Sequence, residues 1–324
     1  MIKQLKFVLL GLFAAIPSFA LAHVKWFVDT ESVLIKYAGT TSTFFNWNST
    51  EVLIWSCITL FVVLIFAFID KKIGEPKKIL AYGYKNENKI NSVARIIFGM
   101  YLISITVLWG LIISPDLMVS NTFTTILQYI QGLLGLMFVF NIKTRLASVG
   151  TILLFVIVAL QSSVLFTLEN LMVLALAFYF LVNYSPKDSW IFSKFYKHGV
   201  EIVRIATGIT LISLAFTEKF LHPGLSLEFL NIHNWNFMQL IFPAFTNELF
   251  VLSVGFAEMI FGILFIMGYL TRMTTILIAV FFAISVTAML HGFGLWEVED
   301  LVVYSAAILF IFFGHGRTKF FHFS

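Results

Sequence analysis

Glu258 stands inside the run "VLSVGFAEMIFGILFIM", residues 251–267, ten residues into an apolar stretch that can cross a bilayer. An isolated carboxylate at such a depth costs about 2.5–3.5 kcal/mol on insertion scales, so it must be protonated, paired or turned to a polar cavity. Arg272 is 14 residues further on, about 21 Å at the α-helical rise, so the partner has to come from another helix. Lys219, next to Glu218 in the dipeptide "EK", is the candidate. Glu258, Glu218 and Lys219 form the candidate catalytic set, as a proton relay, a contact for a quinone headgroup or a ligand. The alternative for Glu258 is a polar strut between helices.

A second set is histidine-rich. His222, His233 and His291 fall between apolar runs, in company with Glu218, Glu297, Glu299 and Asp300. His23 follows "ALA" at 20–22. Cleavage after Ala22 would leave His23 with a free α-amine of pKa about 7.7–8.0, and that amine with its own imidazole can chelate one Cu(II) or Zn(II). A further histidine would complete the site. These residues show no H-x-x-x-H or similar local pair, and solvated or interfacial loop histidines are the alternative.

Other chemistries lack their residues. The single cysteine, Cys57, lies in the apolar run 52–69, so the chain forms neither an internal disulfide nor a dithiol pair. A b-type haem needs two axial histidines within helices, and only His291 comes close. No Walker loop, dinucleotide-binding glycine fingerprint or G-x-S-x-G elbow occurs.

The elements that carry these residues follow from composition. Apolar residues make up 60% of the 324 and charged ones 12%, with a mean hydropathy of +0.94. This excludes a soluble enzyme and points to an all-α, polytopic membrane protein whose helices cross a core of about 30 Å. Residues 1–22 carry Lys3 and Lys6, an apolar stretch and "ALA", the parts of a signal peptide. Nine further spans are predicted, near 51–69, 93–113, 125–141, 146–166, 169–184, 200–217, 249–269, 273–290 and 299–314. Lys71, Lys72, Lys77, Lys78, Lys143, Arg145, Lys187, Lys194 and Lys197 cluster in alternate loops, which the positive-inside rule makes cytoplasmic. Residues 23–50 are then exported, the C-terminus is cytoplasmic, and the net charge of +4 reflects topology in a bilayer rather than nucleic acid.

The chain repeats itself. "VARIIFGMYLISITVLW" from Val93 aligns with "IVRIATGITLISLAF" from Ile202, pairing Arg95 with Arg204 and Gly99 with Gly208. "IQGLLGLMFVFNIKTR" aligns with "AEMIFGILFIMGYLTR", pairing Gln131 with Glu258 and Thr144-Arg145 with Thr271-Arg272; "LENLMVLAL" aligns with "VEDLVVYSA". The offsets are 109 and then 127 residues, so the second copy has gained about 18, most simply between its first two helices. The expected domains are a signal peptide (1–22), an exported segment (23–50), a leading helix with a basic cytoplasmic loop (51–92), a degenerate four-helix module (93–185) and a second four-helix module (199–316). The repeated arginines read as topological and the paired glycines as close helix contacts.

The second copy, with Arg204, Gly208, "EK" at 218–219, "GFAEMIFGILFIMGYLTR" and "HGFGLWEVED", resembles the DoxX-like membrane proteins, which include the DoxD-type subunit of thiosulfate:quinone oxidoreductase. The resemblance covers residues 199–316 and, more weakly, the first copy. It implies a membrane module in a quinone- or thiol/sulfur-linked redox system, with quinone as cofactor and a periplasmic or membrane redox partner. Transition-metal binding or transport through the histidines, and a non-catalytic membrane scaffold, stand as alternatives.

Overall fold

A backbone with apolar side chains and no water within reach must bond to itself, and among the described residues the chain does so as 13 α-helices without a sheet. The computed structural model describes residues 24–26, 28–38, 45–114, 122–184, 195–293 and 300–316, with the backbone alone at 26, 281 and 284–293. The helices are α1 (Thr30–Lys36), α2 (Thr50–Ile73), α3 (Lys77–Lys85), α4 (Glu87–Ser104), α5 (Thr122–Val139), α6 (Thr144–Gln161) and α7 (Val164–Glu169). They continue as α8 (Leu171–Asn183), α9 (Gly199–Leu214), α10 (Pro223–His233), α11 (Asn247–Met267), α12 (Thr271–Phe293) and α13 (Asp300–Phe313). Both α4 and α9 run on into a widened π-helical turn, Ile105–Trp109 and Ala215–Phe220.

Among the described residues six helices are long and apolar enough to cross a membrane: α2, α4 with its π turn, α5, α6, α9 with its π turn, and α11. The other three predicted spans fall on α8, α12 and α13, of which Leu171–Asn183, Thr271–Val280 and Asp300–Phe313 are shorter apolar stretches. Leu53, Leu60, Phe61, Leu64 and Phe68 on α2 are between 59% and 65% exposed, an apolar surface suited to hydrocarbon rather than water. The predicted signal peptide and His23 lie outside the described residues, as do Glu297, Glu299 and the side chain of His291.

The chain divides into two compact units, one from Met1–Val62 and Leu214–Ile260, the other from Val63–Ser213 and Phe261–Ser324. In the larger unit the repeat is visible atom by atom. A Cβ on Gly99 would stand 2.7 Å from the Gly135 carbonyl oxygen, and one on Gly208 would stand 2.5 Å from that of Gly262. These glycines let helix backbones touch. Arg95 Nη1 donates to the Val139 carbonyl at 3.2 Å, and Arg204 Nη1 donates to the Ile266 carbonyl at 2.8 Å and to that of Phe265. Each guanidinium thus satisfies carbonyls that the end of a helix leaves without an internal donor. The turn that follows is left-handed at Asn141 and Lys143 in the first copy (φ 57° and 43°) and at Gly268 and Leu270 in the second (φ 74° and 43°).

Arg272 breaks the symmetry. Its Nε and Nη2 donate to the carbonyls of Ile311 and Phe312 at 2.8 and 3.2 Å, and it pairs with Glu75. Its counterpart Arg145 is exposed. Arg95, Arg204 and Arg272, read as topological in sequence, therefore also cap helix ends.

The smaller unit holds α1, α10, the first half of α2, the π turn after α9 and most of α11. Its core is Val52, Ala215, Phe220, Leu252 and Phe256, with Phe45, Trp55, Phe216 and Met259 packed around it. Trp55 stacks on Phe256 with centroids 6.3 Å apart. Pro223 opens α10 at a position where its missing N–H is not needed, and Asn234 closes it with a left-handed φ of 48°.

Candidate functional site

The π turn Ala215–Phe220 presents four successive residues to protein rather than to one face. Thr217, Glu218, Lys219 and Phe220 are 2%, 0%, 0% and 7% exposed. In an ordinary amphipathic helix four successive residues span most of the circumference, so such burial needs neighbours on several sides. Three elements of the same unit supply them. Val24 donates its amide to Glu218 Oε2 at 3.1 Å, Ser226 of α10 donates its hydroxyl to the Glu218 carbonyl at 3.0 Å, and α11 brings Glu258.

Lys219 is the centre of the arrangement. Its Nζ lies 3.0 Å from Glu218 Oε2 and 3.1 Å from Glu258 Oε1. The Lys219 and Glu218 side chains are fully buried and that of Glu258 is 13% exposed. Removing such charges from water costs several kcal/mol per ion, and their mutual attraction offsets this only with good geometry. The sequence places a glycine where the geometry needs one: a Cβ on Gly255 would stand 2.7 Å from the Phe220 ring and 3.0 Å from Lys219 Cβ. Gly255 precedes Glu258 by three residues on α11, so both face the same neighbour.

The first copy shows what the same scaffold does without charge. At the position of Glu258 stands Gln131, fully buried. Its Oε1 accepts from the Ile113 amide at 3.0 Å, and its Nε2 donates to Thr106 Oγ1 at 3.0 Å and to the Leu111 carbonyl at 3.3 Å. The equivalents of Glu218 and Lys219 are Trp109 and Gly110. A neutral amide thus holds the irregular backbone after that π turn, where the second copy holds an ammonium between two carboxylates.

The other sequence candidates separate. His222 caps α10 and is exposed, whereas His233 is its last residue. Eleven residues of helix set them about 16 Å apart along the axis, too far to share an ion. His233 lies against Phe229, with ring centroids 4.8 Å apart, and burial holds its imidazole below the ordinary value. Asp300 is buried at the start of α13. Among the described residues no three His, Cys, Asp or Glu side chains group as metal ligands. His23, Glu297, Glu299 and the side chain of His291 lie outside those described.

Sequence reasoning missed the parts that enclose the set. Val24 is fully buried. Further along the same segment, Lys36 Nζ reaches Glu228 Oε2 at 2.7 Å and Oε1 at 2.9 Å, and Tyr37 donates its hydroxyl to Oε2 at 3.1 Å. A Cβ on Gly224 would meet Tyr37 Cγ at 2.6 Å, so the segment rests directly on α10. The spacing Gly255-x-x-Glu258 was the one local signal for this packing; nothing local marks Val24 or Ser226.

Comparison with known proteins finds no matching family model, no similar curated protein and no similar solved structure.

Proposed function

We propose that this chain is a multi-pass inner-membrane protein of the DoxX-like kind, with a cleaved signal peptide, nine spans and two tandem four-helix modules. In this reading its second module is the working part of a quinone- or thiol/sulfur-linked redox system. The observation that carries it is the ammonium of Lys219 held between the carboxylates of Glu218 and Glu258. Ionisable groups inside membrane helices are rare and mark proton or substrate pathways. Quinone reduction takes up protons and quinol oxidation releases them, so a site beside the quinone ring needs groups that donate and accept protons without water. Two carboxylates and an ammonium supply both roles, with Glu258 toward the middle of its helix and Glu218 and Lys219 near the end of theirs. The neutral Gln131 at the equivalent place supports a division of labour in which the first module is structural.

In this reading the N-terminal segment and the histidines face the periplasm, and the basic loops face the cytoplasm. The partner is a periplasmic or membrane redox protein. The test is calorimetric titration of decylubiquinone into the protein in nanodiscs. Saturable binding, weakened at least tenfold by Glu258→Gln, is expected. The absence of saturable binding, together with unchanged quinone-linked oxidation of thiosulfate, sulfite and thiols in membranes lacking the protein, would overturn the proposal. One equivalent of copper or zinc retained after metal loading, and lost in a His23→Ala protein, would replace it with the transition-metal reading.

A further inference from the structure

The stretch between α10 and α11 combines two properties that water does not require together. Leu240, Ile241 and Phe242 are 87%, 65% and 58% exposed, three successive large apolar side chains turned away from the protein. Part of the backbone beneath them is bonded to itself. The amides of Gln239, Ile241, Phe242 and Phe245 donate to the carbonyls of Asn236, Met238, Met238 and Phe242 at 3.2, 3.0, 2.8 and 2.9 Å. Pro243 has no amide hydrogen to satisfy. Asn236 Nδ2 ties the two ends together, donating to the Phe245 carbonyl at 2.8 Å and to Asn247 Oδ1 at 3.0 Å.

Charge and position agree. From Phe229 to Asn247 no Asp, Glu, Lys or Arg occurs. Phe242 is five residues before Asn247, where α11, one of the six helices able to span a bilayer, begins. Five residues reach at most about 18 Å even when fully extended. The stretch is therefore within reach of the interfacial region beside that end of α11.

We infer that Leu240–Phe242 dip into the lipid interface at the end of α11, so that the loop is a membrane-inserted tip whose partner is the lipid surface. The absence of charge and the adjacency to a helix able to span a bilayer decide for lipid over a protein partner. Hydrocarbon offers no hydrogen bonds, and the bonded amides of Gln239, Ile241, Phe242 and Phe245 lower the cost of approaching it. Apolar side chains that enter about 5–10 Å at the headgroup boundary hold a peripheral segment in this way. The inference rests on the bilayer placement of the helices and not on the redox role of Lys219.

The experiment uses the full chain in phosphatidylcholine nanodiscs. Cys57, the single cysteine, is replaced by alanine, and an environment-sensitive NBD label is placed by Ile241→Cys or, in a second protein, by Leu240→Cys. Leu60→Cys on α2 serves as the reference for hydrocarbon. The expected result at 241 and 240 is blue-shifted emission, loss of most intensity with lipids spin-labelled near the headgroup end of the acyl chain, and protection from iodide. Emission open to iodide, or a blue shift without quenching by spin-labelled lipid, would overturn the inference, the latter by pointing to protein contact. If the label at Leu60 also escaped lipid quenching, the membrane placement itself would fail with it.

Discussion

Lys219 and Glu258 stand 39 residues apart in sequence, and their charged atoms are 3.1 Å apart in the fold. Breaking one side of a buried ion pair leaves the other charge uncompensated, at a cost of about 3–5 kcal/mol. Lys219→Met should therefore lower stability by about that amount, and the double variant Lys219→Met/Glu258→Gln should lose less than the two single losses combined. Thermal unfolding in detergent of the four proteins gives the coupling directly. Additive losses would mean that the two side chains do not interact.

The glycines divide by what lies above them. Alanine at Gly208 or Gly99 drives a methyl to 2.5 or 2.7 Å from a backbone oxygen of the facing helix, and overpacking of this sort costs about 1–3 kcal/mol. At Gly132 the nearest atom, Thr106 Cγ2, is 3.4 Å away, an ordinary contact. Gly132→Ala should then be neutral or stabilising by about 0.5–1 kcal/mol, because glycine loses more freedom in a helix. The unfolding midpoint should fall for Gly208→Ala and Gly99→Ala and should not fall for Gly132→Ala.

Gln131→Glu copies the second module's residue into the first without its lysine. The change removes the two donors that reach Thr106 and Leu111 and adds a carboxylate where the first copy has Gly110, not a lysine, at the position aligned with Lys219. The expected loss is about 2.5–3.5 kcal/mol, as for a carboxylate placed in a bilayer. Adding Gly110→Lys should not restore it, since Gly110 has φ +63° and a side chain is strained there. Restoration would show that the two scaffolds are interchangeable.

The Lys36–Glu228 contact predicts a pH dependence. Hydrogen bonding from Lys36 holds the Glu228 carboxyl below its ordinary value of 4.5, and the Tyr37 hydroxyl adds to the effect. The unfolded chain binds this proton at the ordinary value, so the stabilisation is complete above it and is lost as pH falls through the lower folded value. The difference in unfolding midpoint between wild type and Glu228→Gln should shrink as pH drops below 4.5. A constant difference would remove the pair from the account.

The helical class and the positions of the apolar stretches were legible in the residues, because hydrocarbon leaves the backbone one choice and the 3.6-residue period carries it. The repeat was legible too, and it extends to the left-handed turns and the arginine–carbonyl caps, since like side chains at like spacing meet the same helix ends. That Glu258 must be protonated, paired from another helix or turned to a polar cavity also followed from the cost of an isolated charge.

What the chain brought to that carboxylate was decided in three dimensions. The π turn that buries Glu218 and Lys219 together has no local signature, because widening one helical turn depends on what packs outside it. Val24, Ser226 and Gly255 come from three separate segments, and only folding places them around one ammonium. The histidines show the converse: grouped by composition and by loop, His222 and His233 are set at opposite ends of α10. Sequence by itself determined which groups must not be left alone in an apolar protein. The tertiary structure decided which of them met, because ion pairing acts over a few ångströms and residues distant in sequence come within that range only in the fold.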